Sequence, residues 1–238
     1  MIKNIFENLT VLILCGGKGE RLKPITKTIP KPLVKIRNKE ILSYIIDHLR
    51  SYGLNDIIIA SGYKHAMIKK FFLKKYKNCN IKIINSGTNT EIIKRISEAL
   101  KFSKKDILIC YGDTLADINI KKLYKFHSAS NYPVTMSSYE IKSNFGILDI
   151  RKNDSVVSYK EKPSLNIWFN IGYFIFNQKV FDLFSKFKKF EFLLKYLVEK
   201  SKIKSFKHRG LHITINSIKE LDSARKTVRE FEKKIKIK

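Results

Sequence analysis

The sequence predicts an α/β fold with a doubly wound mixed sheet, and three observations lead to that prediction. Short apolar runs alternate with segments of helical periodicity up to Tyr111, a glycine-rich loop follows the first run, and closely spaced strand-like runs follow Asp113. Short continuous apolar runs indicate strands buried on both faces, which a parallel sheet covered by helices requires.

The first predicted strand runs from Val11 to Cys15 and stops at two glycines. A helix over Ile41 to Tyr52 and a strand over Ile57 to Ala60 complete a strand-helix-strand unit, which forms a parallel pair with a right-handed crossover. The alternation continues with a helix over Lys64 to Lys75, a strand over Ile81 to Ile84, a helix over Glu91 to Phe102 and a strand over Ile107 to Tyr111. This order predicts a Rossmann-like, doubly wound sheet.

Shorter strands separated by turn residues follow, and they predict a partly antiparallel C-terminal extension of the same sheet. They cover Val134 to Tyr139, Gly146 to Ile150, Val156 to Glu161 and Tyr173 to Phe176. The remaining predicted elements are helices over Lys179 to Phe187 and Glu191 to Lys200, a strand pair around Ser205 to Ile215 and a closing helix from Ile218. No linker or internal repeat separates these parts, so residues 1–238 are predicted to form a single domain.

Composition excludes several classes of protein. Of the 238 residues 44% are hydrophobic, which excludes disorder along the whole chain. No apolar run approaches the ~18 residues of a membrane span, so no membrane partner is expected. The N-terminus lacks the apolar core and cleavage site of a secretory signal, which predicts a cytoplasmic protein. Cys15, Cys79 and Cys110 lack metal-ligand spacing and are expected to be reduced thiols.

The net charge of +27 comes from 48 Lys and Arg against 21 Asp and Glu. Forty of the 48 cations are lysines, and they are spread over the whole chain instead of forming one arm. Such a distribution favours a solvated lysine-rich surface over nucleic-acid binding, so no nucleic-acid partner is expected. The charge should still attract polyphosphate substrates.

The glycine-rich loop is the strongest functional signal. Gly16, Gly17 and Gly19 follow the first strand, and Arg21 and Lys31 come next along the chain. Glycines at this position let backbone amides approach a phosphate chain, while the two cations supply charge for its oxygens. The spacing is neither that of a Walker A loop nor the Gly-x-Gly-x-x-Gly of dinucleotide binders.

The segment resembles the Gly-Gly-x-Gly-x-Arg-Leu-x-Pro-x-Thr…Pro-Lys-Pro signature of the sugar-1-phosphate nucleotidylyltransferases, also called NDP-sugar pyrophosphorylases. The match runs from Gly16 to Pro32, with Thr26 in register and Glu20 in the place of a common Thr or Ser. Tyr111-Gly112-Asp113 is similar to the family's Gly-Asp, which implies that Asp113 holds Mg²⁺ on the nucleotide phosphates. A turn former after a strand is the alternative interpretation of Asp113.

The resemblance also implies a sugar-phosphate site. Glu161-Lys162-Pro163 looks like the family's Glu-Lys-Pro, in which the lysine binds the sugar phosphate and the glutamate touches the sugar. Asn170-Ile171-Gly172 resembles the Asn-x-Gly that lines the sugar pocket. Each triplet alone would be interpreted as a surface turn or a strand end.

Within the family, four stretches look most like glucose-1-phosphate cytidylyltransferases. They are Ser61 to Lys64, Tyr111 to Asp117, Phe145 to Ile150, which contains Gly146, and His208 to Gly210. The resemblance implies attack by a sugar 1-phosphate on the α-phosphorus of a nucleoside triphosphate, with pyrophosphate released. CTP is the favoured nucleotide, with GTP, dTTP or UTP as alternatives. A catalytically weakened nucleotide-binding relative is the alternative to an enzyme. Carried over residue by residue, the implied nucleotide-binding set is Leu14, Gly16, Gly17, Gly19, Glu20, Arg21, Gly87, Thr88 and Gly112. Arg21, Lys31 and Asp113 are the implied catalytic residues.

Two stretches depart from the family pattern. The base-binding turn keeps Gly87 and Thr88 but lacks the glycines that usually follow, and the chain before it is too short for the insertion through which the cytidylyltransferases assemble. A homo-oligomer nevertheless stays possible. The family's second metal-binding aspartate falls on Asn216, or on Thr214 in another register. An amide oxygen can ligate Mg²⁺ without contributing charge, so the predicted metal ligands are Asp113 and Asn216. His212 nearby is interpreted as a strand histidine in preference to a metal ligand.

Overall fold

The computed structural model describes residues 5–77, 79–103 and 105–236. The strands in this part of the chain are β1 Leu9–Cys15, β2 Lys35–Ile36, β3 Lys39–Glu40, β4 Ile57–Ser61, β5 Ile81–Asn85, β6 Asp106–Tyr111, β7 Thr114–Ala116, β8 Val134–Lys142, β9 Ile147–Ile150, β10 Val156–Lys160, β11 Ser164–Phe176, β12 Ile203–His208 and β13 His212–Thr214. The α-helices are α1 Ile25–Thr28, α2 Ile41–Arg50, α3 His65–Lys75, α4 Ile92–Leu100, α5 Ile120–Ser128, α6 Leu183–Lys186, α7 Phe190–Glu199 and α8 Ile218–Lys236.

Seven strands form the central sheet in the order β12-β8-β11-β6-β1-β4-β5. β1 lies between β4 and β6 and runs parallel to both, and β5 extends the parallel part beyond β4. β11 runs antiparallel to β6 and to β8, and β12 is parallel to β8. The predicted doubly wound mixed sheet with a partly antiparallel extension is therefore confirmed.

The extension differs from the prediction in its strand pairing. The strands predicted at Gly146 to Ile150 and Val156 to Glu161 do not join the central sheet, because β9 and β10 pair only with each other in the described chain. Their residues are almost all exposed, whereas strands inside a sheet covered on both faces are continuously apolar and buried. Two strands do lie in the range predicted around Ser205 to Ile215, but they do not pair with each other, since β12 joins β8 and β13 pairs with β7.

Helices cover both faces of the sheet. Alternate residues of β1 enter two separate apolar clusters: Val11 and Ile13 face one, and Leu12 faces the other. Helices α2, α3, α5 and α8 contribute to the first cluster, and α4, α6 and α7 to the second. Among the described residues, no helix is both long and apolar enough to cross a membrane.

This architecture places four strand ends at one edge. Parallel strands β1, β4, β5 and β6 end at the glycine loop, at Gly62, at Gly87 and at Gly112 respectively. The carboxyl edge of a doubly wound sheet is where such folds bind ligands, because the loops there diverge to either face. The predicted nucleotide-binding residues therefore meet although they are distant in sequence.

Candidate active site

A cleft of about 870 Å³ opens at the carboxyl edge of the sheet. Its lining contains twelve of the residues predicted for the site, namely Leu14, Gly16, Gly17, Gly19, Glu20, Arg21, Lys31, Thr88, Gly112, Asp113, Asn170 and Asn216. Gly87 lies directly before the lining residue Thr88, and its backbone nitrogen donates to the side chain of Asn85 at 3.1 Å. The structure thus gathers the predicted phosphate loop, base turn and metal ligands around one cavity.

The glycine loop is held against the segment that follows it. Gly19 has a φ of +66°, a left-handed conformation that favours glycine. Its carbonyl oxygen accepts a hydrogen bond of 2.9 Å from the Thr26 hydroxyl, and a side chain at Gly19 would meet Thr26 and Lys31 at about 3 Å. The loop therefore packs closely against Lys31, which lines the cleft together with Pro32.

Four polar side chains converge at the mouth of the loop. The ammonium group of Lys31 donates to Oδ2 of Asp113 at 2.5 Å and to Oδ1 of Asn216 at 3.0 Å. Arg21 donates to the same Asn216 oxygen, also at 3.0 Å. The side chain of Lys31 is 10% exposed, so its charge is largely withdrawn from water and needs these acceptors. Two cations thus share one neutral oxygen beside a single carboxylate.

Asn216 owes its position to the turn between β13 and α8. Its backbone nitrogen donates to Oε2 of Glu220 in the first turn of α8 at 2.5 Å. Thr214, the alternative register, pairs with Thr114 inside the two-stranded sheet and is not among the residues that line the cleft. Asn216, and not Thr214, therefore occupies the place next to Asp113.

His212 lies away from this cluster, among the rings of Tyr139 and Phe169 at centroid distances of 5.1 and 5.4 Å. Burial, with a smaller contribution from the charge of His208, lowers the pKa of His212 to about 4. The described residues supply no hydrogen-bond partner for its Nε2. A neutral strand histidine among aromatic rings agrees with the interpretation preferred from the sequence.

The oxygen atoms beside Lys31 determine whether the cleft suits a magnesium ion. In the described chain no group of three or more His, Cys, Asp or Glu side chains could enclose a metal ion by itself. Magnesium, however, is usually bound by one or two carboxylates, with waters and substrate phosphates as further ligands. Asp113 and Asn216 provide one carboxylate and one amide oxygen on the same lysine, so the oxygens present fit such a shared site.

Arg95 is a cleft residue that the sequence analysis missed. It lies in α4, is 4% exposed, and donates to the carbonyl oxygens of Ser61 and Thr88 at 3.1 Å each. The guanidinium packs directly on Gly16, where any side chain would overlap it. Burial lowers its pKa, with Glu98 opposing that effect. Arg95 thus joins the phosphate loop, the end of β4 and the base turn.

The signal for Arg95 is present in the sequence. It falls one turn before Ala99, so the two residues share a face of α4, and both are buried. An arginine on an apolar face must find acceptors for its donors, because an unpaired buried charge is costly. The lining also includes Phe190, Glu191 and Leu194 of α7, which periodicity alone assigns to a helix but not to a cleft.

The predicted sugar-phosphate residues fall into two groups. Asn170 lines the cleft, and its side-chain oxygen accepts from the backbone nitrogen of Gly172 at 2.8 Å. Gly172 packs against the ring of Tyr111, another lining residue. Of these two residues of β11, Asn170 lines the cavity itself, and Gly172 reaches it only through Tyr111.

Gly146, Glu161 and Lys162 lie outside the lining. They belong to the hairpin formed by β9 and β10 and the turn after it, where the side chains of Glu161 and Lys162 are 57% and 65% exposed. Lys162 pairs with Glu161 at 3.7 Å, and Glu161 accepts a hydrogen bond from Tyr159. Their role in binding a sugar phosphate stays a prediction.

Comparisons with known proteins agree with this geometry. The nucleotidyl transferase family matches residues 10–201. A probable glucose-1-phosphate cytidylyltransferase of Bacillus subtilis is 30% identical, over 90% of this chain and 93% of that protein. A D-glycero-alpha-D-manno-heptose 1-phosphate guanylyltransferase of Campylobacter jejuni is 31% identical, over 77% of this chain and 83% of that protein.

Among solved structures, HddC from Yersinia pseudotuberculosis superposes with a TM-score of 0.72 and 27% identity, covering 92% of this chain and 99% of that chain. The same protein has been solved in complex with GMP-PN. The predicted resemblance and the predicted fold class are both confirmed by these matches.

Proposed function

The chain belongs to the nucleotidyl transferase family, and from that premise we propose that it transfers the nucleotidyl group of CTP to a sugar 1-phosphate and releases pyrophosphate. The observation that carries the proposal is the convergence of Arg21, Lys31, Asp113 and Asn216 at the mouth of the glycine loop. This places cationic donors and a carboxylate beside a loop suited to phosphates. The product would be a nucleotide sugar, the activated donor for surface-polysaccharide synthesis.

The reaction is a displacement at phosphorus. An oxygen of the sugar 1-phosphate forms a bond to the α-phosphorus, and the bond from that phosphorus to the bridging oxygen breaks. Pyrophosphate leaves with the electron pair. The nucleophile is already anionic, so the protein need not remove a proton, and catalysis consists of positioning and of stabilising negative charge.

Lys31 suits the developing charge at the α-phosphate. Its ammonium group is fixed from two sides by Asp113 and Asn216, and these acceptors account for two of its three hydrogens. A preorganised donor of this kind costs little reorganisation when the transition state forms. Arg21 and the amides of the glycine loop are assigned to the β- and γ-phosphates, because a guanidinium can bind two phosphate oxygens at once.

Asp113 and Asn216 would hold Mg²⁺, which when bound neutralises phosphate charge and aligns the triphosphate for in-line attack. Asn216 contributes an oxygen but no charge, so we expect weaker metal binding than a pair of carboxylates would give. Glu161, Lys162, Gly146, Asn170 and Gly172 are assigned to the sugar phosphate. Of these, Asn170 supports the assignment by its place in the lining.

GTP is the second candidate for the base. It is favoured by the similarity to the Campylobacter guanylyltransferase and to the structure solved with GMP-PN. CTP is favoured by the Bacillus relative, which matches over a larger share of this chain. The base turn around Thr88 is fixed to the phosphate loop through Arg95 and leaves polar groups on Asn89 and Thr90 at the cleft wall.

The test is pyrophosphate release in the presence of Mg²⁺, measured with CTP, GTP, UTP, ATP and dTTP against a panel of hexose and heptose 1-phosphates. The proposal expects release with CTP and with at least one sugar 1-phosphate. The Lys31→Met variant, which keeps most of the side-chain volume, should abolish release while a nucleotide still raises its melting temperature. Release with GTP alone would replace CTP by GTP as the substrate. No release with any pair of nucleotide and sugar phosphate would refute the proposed transferase activity.

A further inference from the structure

The hairpin of β9 and β10 presents one apolar face to solvent. In its antiparallel register Leu148 lies opposite Tyr159 and Ile150 lies opposite Val156, and directly opposed residues share a face. The apolar face consists of Leu148, Ile150, Val156 and Tyr159. The opposite face carries Ile147, Asp149, Ser158 and Lys160, by the same register.

The apolar face is uncovered in the single chain. Leu148 is 49% exposed and Tyr159 62%, and the neighbouring Phe145 at the base of the hairpin is 77% exposed. Tyr159 lies flat enough on Gly146 that a side chain there would overlap its ring. All four side chains of the apolar face are thus about half exposed or more, side by side in the register of the hairpin.

Its area is large for a surface without a partner. Together with Phe145 and Val157, the apolar face exposes on the order of 600 Å², at the upper limit for the largest patch on a typical monomer. A stable interface buries roughly 800 Å² on each partner. A two-stranded sheet on its own is also marginally stable in water, so covering one face would stabilise the hairpin.

The charge of this segment selects the occupant. Residues 145–161 contain three cations, Arg151, Lys152 and Lys160, and three acids, Asp149, Asp154 and Glu161. The segment is thus neutral in a chain whose net charge is +27. Two copies of such a chain repel each other almost everywhere else, whereas a nucleic acid, a membrane surface or an acidic protein would be attracted to the lysine-rich surface instead.

We propose that the apolar face is the interface between two copies of this chain, which pack hairpin against hairpin about a two-fold axis. In such an isologous contact the same surface of both copies meets. A segment with a large net charge would repel its copy there, whereas a segment with equal numbers of cations and acids does not. The proposal is independent of the nucleotide that the protein uses.

The test compares two variants that add the same charge to the same strand. Leu148→Glu places a carboxylate on the apolar face, and Ile147→Glu, at a position 41% exposed, places it on the opposite face. Sedimentation from about 1 to about 100 μM protein should show a wild-type dimer. Leu148→Glu should raise the dissociation constant roughly 30-fold or more, as loss of a central contact does, and Ile147→Glu should leave it nearly unchanged.

A wild-type protein that sediments as a monomer throughout this range would overturn the proposal, and so would an equal effect of the two variants. A second measurement needs no variant. Hydrogen exchange of the amides in residues 145–160 should slow several-fold as the wild-type protein is concentrated, while peptides from α3 should not change. Exchange independent of concentration would likewise overturn the proposal.

Discussion

Replacing Asn216 by aspartate tests the charge arrangement at the mouth of the glycine loop. Oδ1 of Asn216 accepts hydrogen bonds of 3.0 Å from both Arg21 and Lys31. A hydrogen bond in which donor and acceptor are both charged is worth about 1 kcal/mol more than one from a charged donor to a neutral acceptor. The new carboxylate oxygen would lie about 4.5 Å from Oδ2 of Asp113, because the two oxygens bind different hydrogens of the tetrahedral Lys31 ammonium at 3.0 and 2.5 Å, so repulsion opposes the gain.

Two attractions at 3.0 Å outweigh one repulsion over the longer distance, even after the exposed Arg21 is discounted for solvent screening. We expect Asn216→Asp to stabilise the metal-free protein by about 1 kcal/mol, which raises the melting temperature by roughly 2–4 °C. A second carboxylate next to Asp113 should also tighten Mg²⁺ binding by about tenfold or more. Scanning fluorimetry measures the first effect and calorimetric titration of Mg²⁺ the second.

Asn170→Asp is the matched control, because it adds the same charge to the cleft lining on a side chain whose oxygen binds the backbone of Gly172 instead of Arg21 and Lys31. It should not reproduce either effect. A lower melting temperature for Asn216→Asp together with unchanged Mg²⁺ affinity would refute the interpretation of this cluster.

Three further outcomes are expected. Lys162→Ala should raise KM for the sugar phosphate severalfold with little change in kcat, while the neighbouring Lys160→Ala should change neither. Arg95→Lys keeps the charge but loses the fork that spans two carbonyl oxygens, so it should lower stability by about 1–2 kcal/mol in thermal denaturation and raise KM for the nucleotide. Burial lowers the pKa of His212 to about 4 in the folded protein, against about 6.5 in the unfolded chain, so the unfolded chain binds the proton first and stability should fall by about 2 kcal/mol from pH 7 to pH 5. His212→Phe should remove most of that dependence.

The sequence predicts the parallel half of the fold well because each element there carries its own pattern. The apolar run at Val11 to Cys15 lies inside β1, and the run at Ile57 to Ala60 lies inside β4. Once these strands are parallel, their carboxyl ends share an edge, so the meeting of the glycine loop with Asp113 follows from topology. Helix α5 carries a weaker pattern, with Leu123 and His127 as its buried positions after Ile120, and it was not predicted.

The pairing of the shorter strands could not be predicted from pattern alone. Alternation indicates that Val156 to Glu161 is extended but does not say which strand it joins, because partner choice depends on contacts between residues distant in sequence. The choice between Asn216 and Thr214 has the same character. It is decided by the hydrogen bond from the Asn216 backbone to Glu220 and by the pairing of β13 with β7.

The charges around the cleft give a reason to expect a divalent cation. The lining carries four cations and four acids, which are Lys18, Arg21, Lys31 and Arg95 against Glu20, Glu91, Asp113 and Glu191. The excess positive charge of the chain therefore lies outside the site, and the cleft itself does not neutralise a nucleoside triphosphate together with a sugar phosphate. A bound Mg²⁺ would supply part of the missing charge at Asp113. This balance supports the metal assignment and explains why an added carboxylate at Asn216 should make nucleotide binding depend more steeply on Mg²⁺.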